Sequence, residues 1–156
     1  MTNNINELRL DSILPDIKVT SAKQVLQKLA KHTFRLIGTP EKTLLNNLLQ
    51  QEQEESSGIG NGVAIVHMRL PRLTKPFIVF TRLTHMVDFK AIDDEPVDLA
   101  CLVLSPEYEG PKHLRRLAKV SRFFSNKAFC DKLRNAADTD EIRMVLKEIN
   151  DQKMAA

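Results

Sequence analysis

Cysteine is scarce in this chain, and its two cysteines are poorly placed for chemistry. Cys101 sits inside the apolar segment Leu99 to Leu104 and Cys130 in a predicted helix. Neither has metal-ligand spacing, so both read as buried thiols, and redox chemistry or a zinc site finds no support. Long apolar runs are missing as well. Nothing approaches the ~20 residues that cross a bilayer, so no membrane insertion is expected. Met1 to Asn4 carry neither a basic region nor an apolar stretch, so no secretory leader is read and a cytoplasmic location is expected. The excess of one charge sign is small. A net charge of +3 and a pI near 8.9, without a basic stripe or motif, give no reason to expect a nucleic-acid partner. Glycines number only five, yet three of them alternate as Gly58, Gly60 and Gly62. No Lys-Ser/Thr and no helix follows that triplet, which excludes a nucleotide-binding loop.

What is present is apolar material for one core. At 156 residues and 42% hydrophobic, residues 1–156 are expected to form a single domain. Ser21 is placed as an N-cap with Gln24 three residues on, and Val25, Leu26, Leu29 and Ala30 follow at helical spacing. A second helix is predicted with Thr39 as cap and Pro40 at its first position, burying Leu44, Leu45, Leu48 and Leu49 and ending within residues 50–55. Strands are predicted at Val63 to His67, Phe77 to Leu83 and Val97 to Leu104. The last is so apolar that it should be central and covered on both faces. Gly110-Pro111 opens a basic helix to about Ser125, Asn126 caps a short one, and Asp138 with Glu141 caps the last, which carries the stripe Ile142, Val145, Leu146, Ile149. Helices before and after a compact set of strands imply an α/β fold, a three-layer α/β/α sandwich.

The stretch with the most chemistry is Ser56-Ser57-Gly58-Ile59-Gly60-Asn61-Gly62, which runs into Val63-Ala64-Ile65-Val66 and ends on His67. Glycines let backbone approach a ligand closely with free N–H groups, so Ser57, Gly58, Gly60 and Gly62 are candidate phosphate contacts. Neutral imidazole is a good nucleophile near pH 7, and the phosphoramidate it forms can pass the group onward. His113 is the second candidate. Pro111 at the first helical position puts it in the first turn, where the helix field attracts anions and should keep its ring neutral. Lys112, Arg115, Arg116, Lys119 and Arg122 recur at helical spacing, either as a solvated face or as a docking face for an acidic partner. His32, on the polar side of a helix, and His85, in a connection, show no identifiable partner.

Together with Ala91-Ile92-Asp93-Asp94-Glu95-Pro96-Val97-Asp98-Leu99-Ala100, Leu102-Val103-Leu104-Ser105-Pro106 and His113-Leu114, the glycine string resembles a known family. It is similar to the enzyme IIA domain of the bacterial phosphoenolpyruvate-dependent phosphotransferase system, fructose/mannitol class, nitrogen-regulatory type, over about Leu8 to Ile149. The resemblance implies a mixed central sheet flanked by helices on both faces and no cofactor or metal. It implies that Nε2 of His67 accepts a phosphoryl group from a histidine phosphocarrier protein, and that His113 hydrogen-bonds the phosphohistidine. Three positions depart from the family: Val66 stands where Pro is usual, Met68 where Gly is usual, and Gln51 where an Arg ends the preceding helix. Arg69 is the nearest residue to supply the missing cation. The implied function is a regulatory relay component that binds target proteins, such as sensor kinases or potassium transporters, according to its phosphorylation state. Two alternatives stand beside it: a sugar-specific IIA protein serving a separate IIB partner, and a binding module that acts without phosphorylation.

Overall fold

A computed structural model describes residues 7–155 of the chain. The order is β1 (Ser12–Ile17), α1 (Ala22–Ile37), α2 (Glu41–Glu54), β2 (Gly58–Gly60), β3 (Val63–Leu70), β4 (Phe77–Val87), β5 (Val97–Pro106), a 3₁₀ turn (Glu107–Glu109), α3 (Pro111–Phe124), α4 (Lys127–Asn135) and α5 (Thr139–Ala155). Met1 to Asn4, read above for a leader, lie outside the described residues. The strands form one five-stranded sheet in the order β1-β4-β5-β3-β2. It is mixed: β1 with β4 and β3 with β5 are parallel, β4 with β5 and β2 with β3 antiparallel.

The central strand sorts its side chains between two layers, because successive residues point to opposite faces. Ala100, Leu102 and Leu104 join Leu26, Leu29, Leu44 and Leu48 of α1 and α2 on one side. Leu99, Cys101 and Val103 join Phe123, Phe124, Phe129, Leu133 and Ile142 of α3, α4 and α5 on the other. This is the expected α/β/α sandwich, with β5 at its centre. Leu102 is fully buried, and cutting it to Ala would cost about 2–5 kcal/mol in lost transfer energy and cavity. Arg82 of β4 pins the edge strand by gripping Asp16 of β1 at 2.7 and 2.9 Å and by donating to the carbonyl oxygen of Leu133 at 2.9 Å.

The caps at Ser21, Asn126 and Asp138 are in place, accepting from the backbone N–H of Gln24 (3.2 Å), Phe129 (3.1 Å) and Glu141 (2.9 Å). Several boundaries move. Thr39 makes no cap bond; Pro40 is the cap residue, extended at ψ 115°, and α2 starts at Glu41. β4 runs on to Val87, so His85 lies in a strand and not in the expected connection. His32 does have a partner: its Nε2 lies 2.8 Å from Ser12 Oγ and ties α1 to β1. Most important for the site, β3 does not stop at His67 but continues to Leu70, paired residue by residue with β5.

Candidate active site

On β3, Val63 and Ile65 face the α3 layer and Ala64 and Val66 face the other, so the two-residue period carries His67 to the α3 side. There it meets His113. His67 pairs across the ladder with Val103, and β5 then ends and the chain turns through Glu107–Glu109 into α3, whose first turn returns His113 to the same spot. Nδ1 of His67 lies 3.2 Å from Nε2 of His113, with the rings tilted at 48°. Nε2 of His67 has no hydrogen-bond partner among the described residues, and its ring borders an open hollow of about 670 Å³. Gln51, Met68, Arg69, Glu107 and the start of α3 (Gly110, Pro111, Leu114) complete that hollow. A helix N-terminus, a guanidinium and a free imidazole nitrogen border one space, an arrangement whose chemistry suits an anion.

Both rings are tuned to stay neutral. Burial lowers the pKa of His67, and the Glu55 carboxylate partly offsets this. His113 is 5% exposed, and burial first, then the charges of His67, Arg69 and Arg116, bring it to about 4 against a weaker opposing pull from Glu109. His113 is thus kept neutral by burial and the neighbouring cations, not by the helix field that the sequence pointed to.

Behind His113 lies a chain of polar contacts whose members are scattered along the sequence. Its Nδ1 is 2.6 Å from Ser105 Oγ, and Ser105 is wholly buried. Arg116 donates to the same oxygen at 2.6 Å through Nη1 and to Glu109 at 2.9 Å through Nη2. From sequence alone Ser105 reads only as part of a family string and Arg116 as one charge on a basic face. The available clue was a hydroxyl closing an otherwise apolar strand.

A family model described as "Phosphoenolpyruvate-dependent sugar phosphotransferase system, EIIA 2" matches residues 7–149. The chain belongs to this enzyme IIA family. A "Nitrogen regulatory protein" of Bradyrhizobium diazoefficiens is 42% identical over 136 residues, covering 87% of this chain and 89% of that one. One of Escherichia coli is 31% identical over 153 residues, covering 94% of each. Among solved structures, "Nitrogen Regulatory Protein IIA-Ntr" from Neisseria meningitidis superposes with a TM-score of 0.79 at 28% identity, over 92% of this chain and 94% of that one. The mannitol IIA of Escherichia coli shares the fold, with a TM-score of 0.72 at 15% identity over 94% of this chain and 99% of that one.

Within this enzyme IIA chain the glycine string does something other than line the hollow at every position. Gly60 and Gly62 make the β2–β3 turn, at φ 99° and 80° on either side of Asn61. They border neither hollow beside His67, and five strand residues from Gly62 to His67 span ~17 Å. Gly62 sits at φ 80°, which strains any residue with a Cβ, and a Cβ there would also push Nη2 of Arg134, 2.6 Å away, out of its place. Ser57 does border a second hollow next to His67, with Gln51, Glu55 and Ile59. Its N–H and hydroxyl are already spent on Glu52, at 2.9 and 2.5 Å, while the Gly58 N–H donates to Ser56 Oγ at 3.1 Å. The structure therefore does not bring the amides of Gly60 and Gly62 to His67 and leaves those of Ser57 and Gly58 engaged; the start of α3 is the backbone that faces the hollow. The departures from the family are accommodated. Val66 pairs in the sheet with Leu102, and Met68 lies in the strand without a positive φ. Gln51 and Arg69 border the same space, so a cation is present although not at position 51.

No helix among the described residues is long and apolar enough to cross a membrane.

Proposed function

We propose that this chain is a single-domain regulatory component of a phosphoenolpyruvate-dependent relay, which takes a phosphoryl group on Nε2 of His67 from a histidine phosphocarrier protein. The observation that carries the reading is the His67–His113 pair, with Nδ1 of His67 engaged at 3.2 Å and Nε2 unpartnered beside the hollow. In the transfer, the P–N bond to the donor's ring breaks as the bond to Nε2 forms, and the proton displaced from His67 passes to the donor's ring. Phosphoryl transfer needs in-line placement and charge neutralisation more than covalent help. Arg69 and the α3 N-terminus supply the neutralisation, His113 holds the acceptor ring, and no cofactor or metal takes part. Exposed Ile59 and Leu114 at the rim offer apolar contact to a docking protein.

The phosphoryl group adds charge and acceptors at a protein-facing surface, so charged and uncharged forms bind different targets. Nitrogen regulatory relatives along nearly the whole chain support targets in nitrogen control; we extend this to potassium and carbon control, with sensor kinases and potassium transporters as target classes, in a cytoplasmic setting. A second reading has its own support: a "PTS system fructose-specific EIIA component" of Haloferax volcanii is 33% identical over 105 residues. On that reading His67 serves a separate IIB protein.

The test is to mix the protein with phosphoenolpyruvate, enzyme I and a phosphocarrier and weigh it intact. A gain of one phosphoryl group that disappears in His67→Ala is expected. No gain from a donor that charges another IIA protein would leave only a binding module.

A further inference from the structure

His113 is one link in a line of hydrogen bonds that runs Glu109–Arg116–Ser105–His113–His67, with separations of 2.9, 2.6, 2.6 and 3.2 Å. The line can carry its protons in two directions. In one, the Ser105 hydroxyl donates to Nδ1 of His113, whose Nε2–H donates to Nδ1 of His67, so the proton of the free His67 ring sits on Nε2. In the other, every bond between the rings reverses. His67 then donates from Nδ1, His113 donates from its own Nδ1 to Ser105, and Nε2 of His67 carries a lone pair.

Arg116 decides between them. A guanidinium can only donate, and Glu109 holds this one in place with side chains 17% and 8% exposed. One lone pair of Ser105 Oγ is therefore always taken. The reversed direction would bring a second N–H donor onto the same oxygen and turn the hydroxyl hydrogen of the wholly buried Ser105 away from its only hydrogen-bonded ring.

We propose that Ser105 and Arg116 are positioning residues that hold His113 as an N–H donor toward Nδ1 of His67, and so slow both the charging and the discharging of His67. The inference rests on the reading of His67 as phosphoryl acceptor. Its logic follows from where each state keeps its proton. The uncharged ring held in this way has its proton on Nε2 and its lone pair turned to His113. The charged ring has phosphorus on Nε2 and, when neutral, a bare Nδ1 that accepts the same bond. Both end states fit the line. Attack by Nε2, and departure of phosphorus from it, require the proton on Nδ1 and the line reversed. The network therefore stabilises both resting states against the step between them, which suits a protein whose phosphorylation state is read as a signal and is poor design for one that passes phosphoryl groups in a sugar flux.

The experiment is long-range ¹H–¹⁵N NMR of the histidine rings at pH 7.5, together with charging and discharging rates against the phosphocarrier. Wild type should show His67 protonated on Nε2 and bare on Nδ1. Ser105→Ala and Arg116→Met should each weaken that preference and speed transfer in both directions by about tenfold, the factor expected when one unsatisfied buried donor no longer opposes the step. Arg116→Lys, which keeps a donor-only cation, should behave as wild type. Damage to the fold would slow both directions, so the sign separates the two explanations. Nδ1–H on His67 in wild type would overturn the proposal whatever the variants do, as would variants that leave the ring pattern unchanged or slow the transfer. Should the wild-type ring pattern be as stated while a competent donor never charges His67, the acceptor reading falls and the hydrogen-bond line stands.

Discussion

Acidification should unfold this protein partly through His113, and the size of the effect follows from its surroundings. The ring is 5% exposed, faces Arg69, Arg116 and His67, and has its pKa brought to about 4 from 6.5. In the unfolded chain it takes up a proton near 6.5. Between these values the unfolded state binds more protons than the folded one, so stability falls as pH falls from about 6.5 toward 4 and is retained above. At pH 5 the unscreened loss relative to pH 8 is about 2 kcal/mol, and water at the edge of the hollow reduces it to about 1 kcal/mol. At pH 5 most carboxylates are still ionised, which keeps them from dominating the comparison. The assay is urea unfolding at pH 8 and pH 5 of wild type and His113→Gln, a side chain that keeps hydrogen bonding without titrating. Wild type should lose about 1 kcal/mol more than the variant, a midpoint shift of about 0.5 M with a slope of about 2 kcal/mol per molar. Equal losses in the two proteins would refute the account of the buried, neutral His113.

Three other outcomes follow from the same geometry. Arg69→Gln should slow phosphorylation about tenfold by removing a charge-assisted bond from the hollow, and adding Gln51→Arg should recover part of the rate in a single-turnover assay, because both positions border the same space. Gly62→Ala should cost about 2 kcal/mol in urea unfolding, since φ is 80° and its new Cβ would meet Arg134, yet it should leave His67 chargeable. Cys101 and Cys130, buried and pushed up to about 12 and about 11, should resist a thiol reagent until the protein unfolds; rapid labelling under native conditions would contradict their burial.

Where the evidence in the sequence was local, it was legible. A cap such as Ser21 with Gln24 or Asp138 with Glu141 is complete within four residues, and an all-apolar run such as Val97 to Leu104 announces a strand covered on both faces. β1 was missed because Pro15 and Asp16 break its pattern, which an edge strand can afford when Arg82 and Asp16 secure it. β2 was missed because two of its three residues are glycine. At the site, His67 and His113 could be picked out one by one, but their contact spans 46 residues and depends on the register of β3 against β5. The line behind them was invisible for the same reason, since Ser105 and Arg116 meet only when the turn after β5 folds α3 back. The glycine triplet shows the opposite case: its spacing suggested an anion cradle, whereas Gly58 lies in β2 and Gly60 and Gly62 form a hairpin turn held by Arg134, Asp98 and Asp93.

The central claim is that Nε2 of His67, unpartnered beside the hollow, is the atom that takes the phosphoryl group. Charging the ¹⁵N-histidine-labelled protein from phosphoenolpyruvate and following phosphorus–nitrogen coupling by NMR tests it most directly. The account predicts coupling to Nε2 of His67 alone, with His113 unmodified. Phosphorus on His113, on Nδ1 of His67, or on no histidine with a working donor would contradict it.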